Sequence, residues 1–258
     1  MKAGFDERIV SYEYIHNISP EDEKALLDAI NPQPGEKILD TFCGYGAVSK
    51  NCLKREKTID LWLNDVSEVQ LKRARKNLPE LLEERFILGY FPEIKLTDGS
   101  FDKVFIKMGL HEVPKEEQAR VAKKIFGLLK PGGKFIVWDI MLNDENQELF
   151  QDVIRKKDEL AGFDRLAKER YFFREDEFLE TMSEAGFEKI KEFHSINYRF
   201  SSRKRLEQEL HNDKSLLEQL NKFIRERFPE RLKEILKYED LGDDIQFTIT
   251  KKIYAMEK

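Results

Sequence analysis

The stretch from Lys37 to Gly46, KILDTFCGYG, constrains the fold more than any other part of the chain. Its first residues form a short apolar run, which predicts a buried strand. Gly44 and Gly46 follow, and glycine allows both a tight turn and a close approach of a ligand to the backbone. Residues 47–55 then predict a helix whose first turn presents unpaired N–H groups. Strand, glycine turn and helix N-terminus predict a nucleotide-type site, although this stretch alone is also compatible with a sharp turn in any α/β protein.

A carboxylate follows the next apolar run. Asp65 ends the run Leu61–Asp65, about one βα unit downstream. In a doubly wound sheet this position lies beside the glycine turn, where the carboxylate can accept hydrogen bonds from two ribose hydroxyls. The run that begins at Gly44 lacks the third glycine of a nicotinamide fingerprint and the Gly-Lys-Ser/Thr ending of a P-loop. Neither phosphate-binding pattern therefore holds.

Four segments in this order resemble the class I S-adenosylmethionine-dependent methyltransferases, over about residues 38–193. They are Asp40–Gly46 in place of the family's Asp/Glu-x-Gly-x-Gly-x-Gly loop, Asn64–Ser67 at its ribose-binding acid, Ser100–Phe105 with Gly109–Pro114 at its fourth strand and exit, and Leu129–Lys134 at the turn into its fifth strand. The resemblance implies an S-adenosylmethionine cofactor and transfer of its methyl group to a nucleophile by in-line displacement.

The resemblance also implies a set of cofactor-binding residues. They are Asp40, Phe42, Cys43, Gly44, Tyr45, Gly46, Asp65, Val66, Tyr90, Phe91, Lys107 and Met108. There are two departures from the family pattern: Phe42 replaces the first glycine, and Tyr90 replaces an acid that the family often directs at the adenine amino group. Tyr90 and Phe91 are candidates for holding adenine by stacking and shape, with core packing as the alternative.

His111 is the first candidate for a catalytic base, because it follows the fourth strand and its ordinary pKa suits proton removal near neutrality. The alternative is a loop histidine that structures the turn before Pro114. In similar enzymes the segment before the first strand covers the cofactor and substrate, so Tyr14 and His16 are further catalytic candidates. Ordinary packing of an N-terminal arm is the alternative for both.

Alternating short apolar strands and amphipathic helices predict an α/β fold, with a doubly wound, mostly parallel, seven-stranded sheet and helices on both faces. We expect a single methyltransferase domain over residues 1–258, with no metal site. Its parts are an N-terminal arm and helix (1–35), a cofactor-binding half (36–140), lid-like helices (141–180, with a helical insertion at 143–170) and a second helical insertion (201–244) before the last strand.

Composition restricts the partners and the compartment. The 258 residues carry 45 Lys and Arg against 50 Asp and Glu, a net charge of −5, with no basic block. This charge argues against a nucleic-acid partner, and the lack of a long apolar run argues against a membrane span. The two cysteines, Cys43 and Cys52, form no metal or disulfide pattern, which indicates a reducing, cytoplasmic setting.

The sequence favours a methyltransferase that acts at O, N or C of a small molecule. The acidic surface, the lid-like segment and the aromatic N-terminal arm support this reading. An RNA- or protein-directed methyltransferase stays open, because the Phe-Cys-Gly-Tyr-Gly loop also resembles some nucleic-acid methyltransferases. A cofactor-binding module without catalysis is the third reading. The apolar stripe of the 201–244 insertion must be covered by the main domain or by a second copy, so a homodimer is a candidate assembly.

Overall fold

Short apolar runs separated by amphipathic helices form the sheet of the first of two compact units, which comprises residues 19–139, 177–195 and 252–258. The computed structural model describes residues 19–258. The parallel strands are β1 (Lys37–Thr41), β2 (Asp60–Asp65), β3 (Phe86–Leu88), β4 (Phe101–Lys107) and β5 (Leu129–Ile140). The helices between them are α1 (Pro20–Ile30), α2 (Ala47–Arg55), α3 (Glu68–Asn77) and α4 (Lys115–Leu128).

The strand order is that of a doubly wound sheet. Two long strands late in the chain, β6 (Glu188–Ser201) and β8 (Ile245–Glu257), run through both units, and α7 (Glu175–Glu184) precedes them. The order is β3-β2-β1-β4-β5-β8-β6, with β1 paired in parallel to both β2 and β4. The predicted doubly wound α/β sheet is confirmed, and an eighth strand of two residues, β7 (Glu239–Asp240), pairs with β8 outside this order. Because the chain reverses direction across the sheet between β1 and β4, these strands flank a topological switch point, where α/β sheets bind ligands.

Local sequence signals account for the helix starts in this unit. The Ser19 hydroxyl accepts the Asp22 N–H at 3.0 Å, and Pro20 occupies the first helical position of α1. Ser67 caps α3 in the same way, accepting the Gln70 N–H at 3.1 Å. Such caps satisfy helix N–H groups that have no partner inside the helix. They fix where α1 and α3 begin.

The second unit comprises residues 140–176 and 196–251. Its elements are α5 (Gln147–Leu160), α6 (Asp164–Glu169), α8 (Arg203–Gln208), α9 (Lys214–Arg227), α10 (Glu230–Lys233) and the two-residue strand β7 (Glu239–Asp240). Phe150 packs against Phe172 at 4.9 Å between ring centroids, and Phe200 stacks on Phe247 at 4.7 Å. These aromatic pairs form the centre of its core.

The 201–244 insertion contains three helices, as the helical spacing predicts, and in addition β7, which pairs antiparallel with β8. Within this unit, where α9 packs against α5, six residues of its apolar stripe are buried: Leu210, Leu217, Leu220, Ile224, Leu232 and Leu236. Leu206 is half-buried, and Ile235 is 60% exposed. Arg227 on α9 reinforces this packing through ion pairs with Glu148 at 2.6 Å and Asp152 at 2.8 Å. Most of the stripe is therefore covered by the chain itself, with Ile235 as its exposed member.

None of the helices within residues 19–258 is long and apolar enough to cross a membrane. The expectation that residues 1–258 act as one methyltransferase domain stays a prediction.

Candidate active site

The glycine turn after β1 has the left-handed backbone that its sequence predicts. Gly44 has a φ of +54° and Gly46 a φ of +77°. A Cβ added at Gly46 would lie 3.0 Å from Leu78 and 3.2 Å from Leu63, so this position requires glycine for packing as well as for conformation. A Cβ added at Gly44 would meet no atom within 4 Å. The space beside Gly44 is therefore open to a ligand.

Two non-glycine residues near this turn also have positive φ angles. Phe42, at the place of the family's first glycine, has a φ of +59°, and Met108 after β4 has a φ of +55°. Gly109 approaches Phe42 so closely that a Cβ there would lie 2.5 Å from the Phe42 Cβ. Such conformations cost on the order of 1–3 kcal/mol each and cluster at binding sites. The ends of β1 and β4 thus pack closely through Phe42 and Gly109, and Phe42 and Met108 have strained backbone conformations.

Asp65 lies directly beside the glycine turn. Its two carboxylate oxygens accept the Gly44 N–H and the Ser67 N–H, both at 2.8 Å. These two bonds fix the orientation of the carboxylate beside the turn. The geometry agrees with the expected position of a ribose-binding acid.

Asn64, which the sequence analysis did not select, joins the ends of three strands. It accepts the Thr41 hydroxyl at 3.0 Å and donates to the carbonyls of Ile87 at 2.9 Å and Gly89 at 3.0 Å. Because these groups are buried or partly buried, their hydrogen bonds hold the carboxyl ends of β1, β2 and β3 together. The sequence signal that could have identified Asn64 is its position directly before Asp65 at the end of β2.

Apolar side chains are exposed around Asp65. Val66 is 43% exposed, and Leu88, which pairs with Asp65 in the β2–β3 register, is 52% exposed. Two exposed apolar side chains beside a hydrogen-bonding acid can pack against one face of a flat, apolar ring of a ligand. Tyr90 is half-buried nearby. Phe91, by contrast, is 2% exposed, and its ring centroid lies 5.9 Å from that of Phe42. Its described contacts are therefore those of a core residue.

Cys43 and Tyr45 contribute mainly through their backbones. The Cys43 N–H donates to the Asn64 carbonyl at 3.0 Å, and the Tyr45 carbonyl accepts from Asn77 at 2.9 Å. Desolvation raises the pKa of the Cys43 thiol, which disfavours the thiolate. Cys43 is therefore a residue of the turn and not a nucleophile.

Opposite charges lie at the ends of β1 and β4. Asp40 is 3% exposed and accepts the Ser49 hydroxyl at 2.7 Å. Burial raises the pKa of Asp40 to about 8, while the hydrogen bond from Ser49 acts in the opposite direction. Burial lowers the pKa of Lys107 to about 8, although the charges of Asp40 and Glu23 favour its protonated form. Both groups thus have pKa values near the physiological range, as is frequent at functional sites.

His111 forms a buried pair with Asp139, a contact between the exit of β4 and the end of β5. The His111 Nδ1 lies 2.5 Å from Oδ1 of Asp139. Oδ2 of Asp139 accepts the Leu110 N–H at 3.0 Å and the His111 N–H at 3.3 Å. The carboxylate therefore fixes both the turn and the orientation of the imidazole ring.

The other imidazole nitrogen of His111, Nε2, lies 3.5 Å from Oε1 of Glu112. Burial lowers the pKa of His111, but the charge and hydrogen bond of Asp139, together with Glu112, outweigh burial and raise the net pKa above 6.5. The sequence analysis selected His111 but not Asp139 as its partner, and no short motif connects the two.

Two predicted site residues, Tyr14 and His16, lie outside the described part of the chain. Across residues 19–258, no group of three or more His, Cys, Asp or Glu side chains is placed to hold a metal ion. The structure brings the remaining predicted residues to one edge of the sheet, at the ends of β1 to β4.

These residues fit an adenosyl amino acid. Asp65 offers acceptors for ribose hydroxyls, and the exposed Val66 and Leu88 offer an apolar surface for a ring. The space beside Gly44 is open, and Asp40 and Lys107 offer a carboxyl and an amino group, each with a pKa of about 8, for a zwitterionic end.

Comparison with known proteins agrees with this fit. A family model described as a methyltransferase domain matches residues 38–133. The chain is 30% identical over 178 residues to the ubiquinone/menaquinone biosynthesis C-methyltransferase of Rickettsia bellii, covering 62% of this chain and 71% of that protein. It is 32% identical over 173 residues to a sterol 24-C-methyltransferase of Gibberella zeae, covering 64% of this chain but only 43% of the sterol enzyme.

Among solved structures, phosphoethanolamine N-methyltransferase 2 of Haemonchus contortus, bound to phosphomonomethylethanolamine and S-adenosylhomocysteine, has a TM-score of 0.61 and 18% identity. The alignment covers 98% of this chain and 57% of that chain, and at this identity it shows the shared fold. The fold and the sequence matches together show that the chain belongs to the class I S-adenosylmethionine-dependent methyltransferases. Its cofactor is S-adenosylmethionine, as the motifs predict.

Proposed function

We propose that this protein transfers a methyl group to a small-molecule acceptor, with His111 as the general base. The short contact between Nδ1 of His111 and Oδ1 of Asp139 carries the proposal. A carboxylate bound to one imidazole nitrogen favours the tautomer with the proton on that nitrogen, so the other nitrogen becomes the proton acceptor. The cofactor, when bound, supplies an electrophilic methyl group on a positively charged sulfur.

The residues around His111 have distinct tasks in this proposal. Nε2 of His111 takes the proton that the acceptor loses as it is methylated, and Asp139 stabilises the imidazolium that forms. Glu112, 3.5 Å from Nε2, lies where it can also stabilise that charge. Burial of His111, which is 7% exposed, excludes water from the proton transfer.

The cofactor residues are proposed from the placement of their side chains. Asp65 holds the ribose, Val66 and Tyr90 border the adenine, and Gly44 leaves room for the cofactor. Lys107 and Asp40 lie at the amino-acid end. Phe42, Cys43, Tyr45, Gly46, Phe91 and Met108 shape the loops around it.

The relatives point to an apolar acceptor. The names of the two aligned relatives refer to a quinone and to a sterol, both large and mostly hydrocarbon, and both relatives are C-methyltransferases. Methylation at carbon or at a hydroxyl releases a proton, which agrees with a positioned base. We propose an acceptor of this kind for the present chain.

Substitution of the base tests the proposal. His111→Gln is expected to lower kcat by about 10²–10⁴-fold, the usual contribution of a general base, while the affinity for S-adenosylhomocysteine stays unchanged. Transfer of a labelled methyl group to a quinone precursor and to a sterol measures kcat, and calorimetry measures binding. His194→Gln is the matched control, since His194 pairs with Asp22 at 3.0 Å and its described ion pair does not involve Asp139 or Glu112.

The alternative is that His111 only orders the turn after β4. In that case His111→Gln would lower the melting temperature and cofactor affinity together, with no separate effect on kcat. Wild-type kcat in a folded His111→Gln variant would contradict the base role.

Two further expectations, the cellular location and the oligomeric state, remain proposals. We propose a cytoplasmic location, supported by the free thiols of Cys43 and Cys52, and cell fractionation tests it. We also propose a homodimer through the 201–244 insertion, where most of the stripe that suggested it is buried within the chain and Ile235 is exposed. Light scattering in solution tests it.

A further inference from the structure

The turn between β4 and α4 carries the proposed base, His111. Residues Leu110–Glu112 form a single turn of 3₁₀-helix, which two backbone hydrogen bonds close, at 3.2 and 3.1 Å. Hydrogen bonds in 3₁₀-helices have poorer geometry than those in α-helices, so contacts from neighbouring elements must hold such a turn in place. Met108, just before it, has a φ of +55°, a conformation that persists only where the surroundings enforce it. The position of His111 therefore depends on the side chains that pack around this turn.

Asp139, near the end of β5, holds the N–H groups on one side of the turn. Its Oδ2 accepts the Leu110 N–H at 3.0 Å and the His111 N–H at 3.3 Å, while Oδ1 lies 2.5 Å from Nδ1 of the ring. Both backbone bonds converge on one oxygen atom. Bonds that meet at one point fix the distance of the turn from β5, but a second element is needed to fix its rotation about that point.

Gln118, in the first turn of α4, holds carbonyl groups of the same turn. Its Nε2 donates to the Leu110 carbonyl at 3.2 Å and to the Val113 carbonyl at 3.0 Å. These two carbonyls bracket His111 and Glu112. Gln118 is 1% exposed, so both bonds are shielded from water, and removal of its amide would leave buried carbonyls short of a donor.

We infer that Gln118 is a positioning residue, which acts with Asp139 to hold the turn so that Nε2 of His111 faces the methyl acceptor. The inference rests on the proposed function, since it needs His111 to act as the base. Gln118 bonds to backbone carbonyls of the turn, and it therefore determines where the ring lies. A displacement of about 1 Å at a reacting group can cost about 10²-fold in rate.

A double-mutant cycle with His111→Gln tests the inference. Gln118→Met keeps the length of the side chain and removes the amide. It should lower kcat for transfer of a labelled methyl group to a quinone precursor or a sterol by about 10- to 100-fold. In the His111→Gln background it should leave the residual rate unchanged within about twofold, because a residue that acts only through the base then has nothing to position.

An NMR titration of the His111 ring gives a readout that needs no methyl acceptor. Burial lowers the pKa of His111, while Asp139 from β5 and Glu112 from the turn itself raise it above its ordinary value. If the turn rotates, the contact between the ring and Asp139 weakens. The pKa of His111 in Gln118→Met should therefore be lower than in the wild type.

Gln151→Met is the matched control. Gln151 on α5 is also a buried glutamine whose amide holds backbone groups, since it donates to the Arg170 carbonyl at 2.8 Å and accepts the Phe172 N–H at 3.1 Å. Both variants lose buried hydrogen bonds, so both should have a lower melting temperature. Only Gln118→Met should change the pKa of His111.

A second variant, Gln118→Asn, keeps an amide that is one methylene too short to reach both carbonyls, and the same results are expected of it. Equal losses of kcat with and without His111 would overturn the inference, as would an unchanged pKa of His111. Failure of both Gln118 variants to fold would assign Gln118 to the core alone and overturn it as well. Wild-type kcat in His111→Gln would instead refute the proposed function, which distinguishes the two failures.

Discussion

At the scale of single residues, the chemistry of this site depends on groups whose partners are far away in sequence. His111 and Asp139 are 28 positions apart, and Asp65 reaches Gly44 across 21 positions. The motif order predicted Asp65 beside the glycine turn, because parallel strands end at the same edge of a sheet. Asp139 was not predicted as a partner of His111, since the side-chain contact depends on the irregular turn 108–113, for which no local pattern exists.

Asp139→Asn tests the orientation of His111. In the wild type the base must lose its proton, so kcat/KM should rise with pH through a pKa above 6.5. Asparagine removes the negative charge that raises this pKa. The acid limb should therefore move to lower pH, and the plateau should fall by about 10- to 100-fold because the tautomer is no longer fixed. The measurement is kcat/KM between pH 5 and 9.

Asp98→Asn, in an exposed loop, is the matched control for this profile. Protonated His111 also stabilises the folded wild type, because the pKa of His111 is raised in the folded protein. This contribution to the free energy of unfolding is present below pH 6.5 and is lost as pH rises through the folded pKa. An unchanged profile in Asp139→Asn would show that Asp139 does not act on the base.

At the scale of elements, β1, the glycine turn and α2 form one unit that was predictable nearly in full. An apolar run, two glycines and a helix-forming run gave the strand Lys37–Thr41 and the helix Ala47–Arg55. The turn itself departs from the family pattern, because Phe42 adopts a φ of +59° that usually belongs to glycine. Sequence could not predict that Phe42 tolerates this conformation, since the close packing of Gly109 against it comes from another loop.

Gly44→Val tests the ligand space of this turn. The new side chain meets no protein atom within 4 Å at Cβ, so the protein should fold, with a strain cost of about 1–3 kcal/mol from the positive φ. Binding of S-adenosylhomocysteine should be abolished, because the side chain fills the open space beside the turn. Calorimetry measures binding, and circular dichroism measures folding.

Gly46→Val separates the two effects. Its side chain would collide with Leu78 and Leu63, so this variant should lose stability first and binding as a consequence. A Gly44→Val protein that is folded and binds S-adenosylhomocysteine normally would remove the turn from the site.

At the scale of the whole molecule, composition and periodicity predicted the class of fold but not the packing of its second unit. Helical spacing identified the 201–244 insertion, and most of its apolar stripe is buried, with Ile235 exposed. The sequence could not predict which element packs against the stripe, because any apolar helix face of similar length could bury it. The structure shows that α5 supplies it, with Arg227 pairing to Glu148 and Asp152.

The second unit also contains a buried network of charged side chains, which the amino-acid composition could not predict. Lys157 lies 2.5 Å from both Asp158 and Glu209, and Arg170 lies 2.8 Å from Asp158. Buried ion pairs contribute little net stability but are costly to break. The network joins α5 to Glu209, the residue that follows α8, and only the folded chain brings these charges together.

The central claim is that this chain binds an adenosyl amino acid with its ribose at Asp65, and titration with S-adenosylhomocysteine tests it most directly. The wild type should bind one equivalent. Asp65→Ala should bind about 1–3 kcal/mol more weakly, the scale of lost hydrogen bonds to a charged group. Asp60→Ala, at the opposite end of β2 and paired with Arg85, should bind as the wild type does. Equal affinity in Asp65→Ala and the wild type would contradict the account.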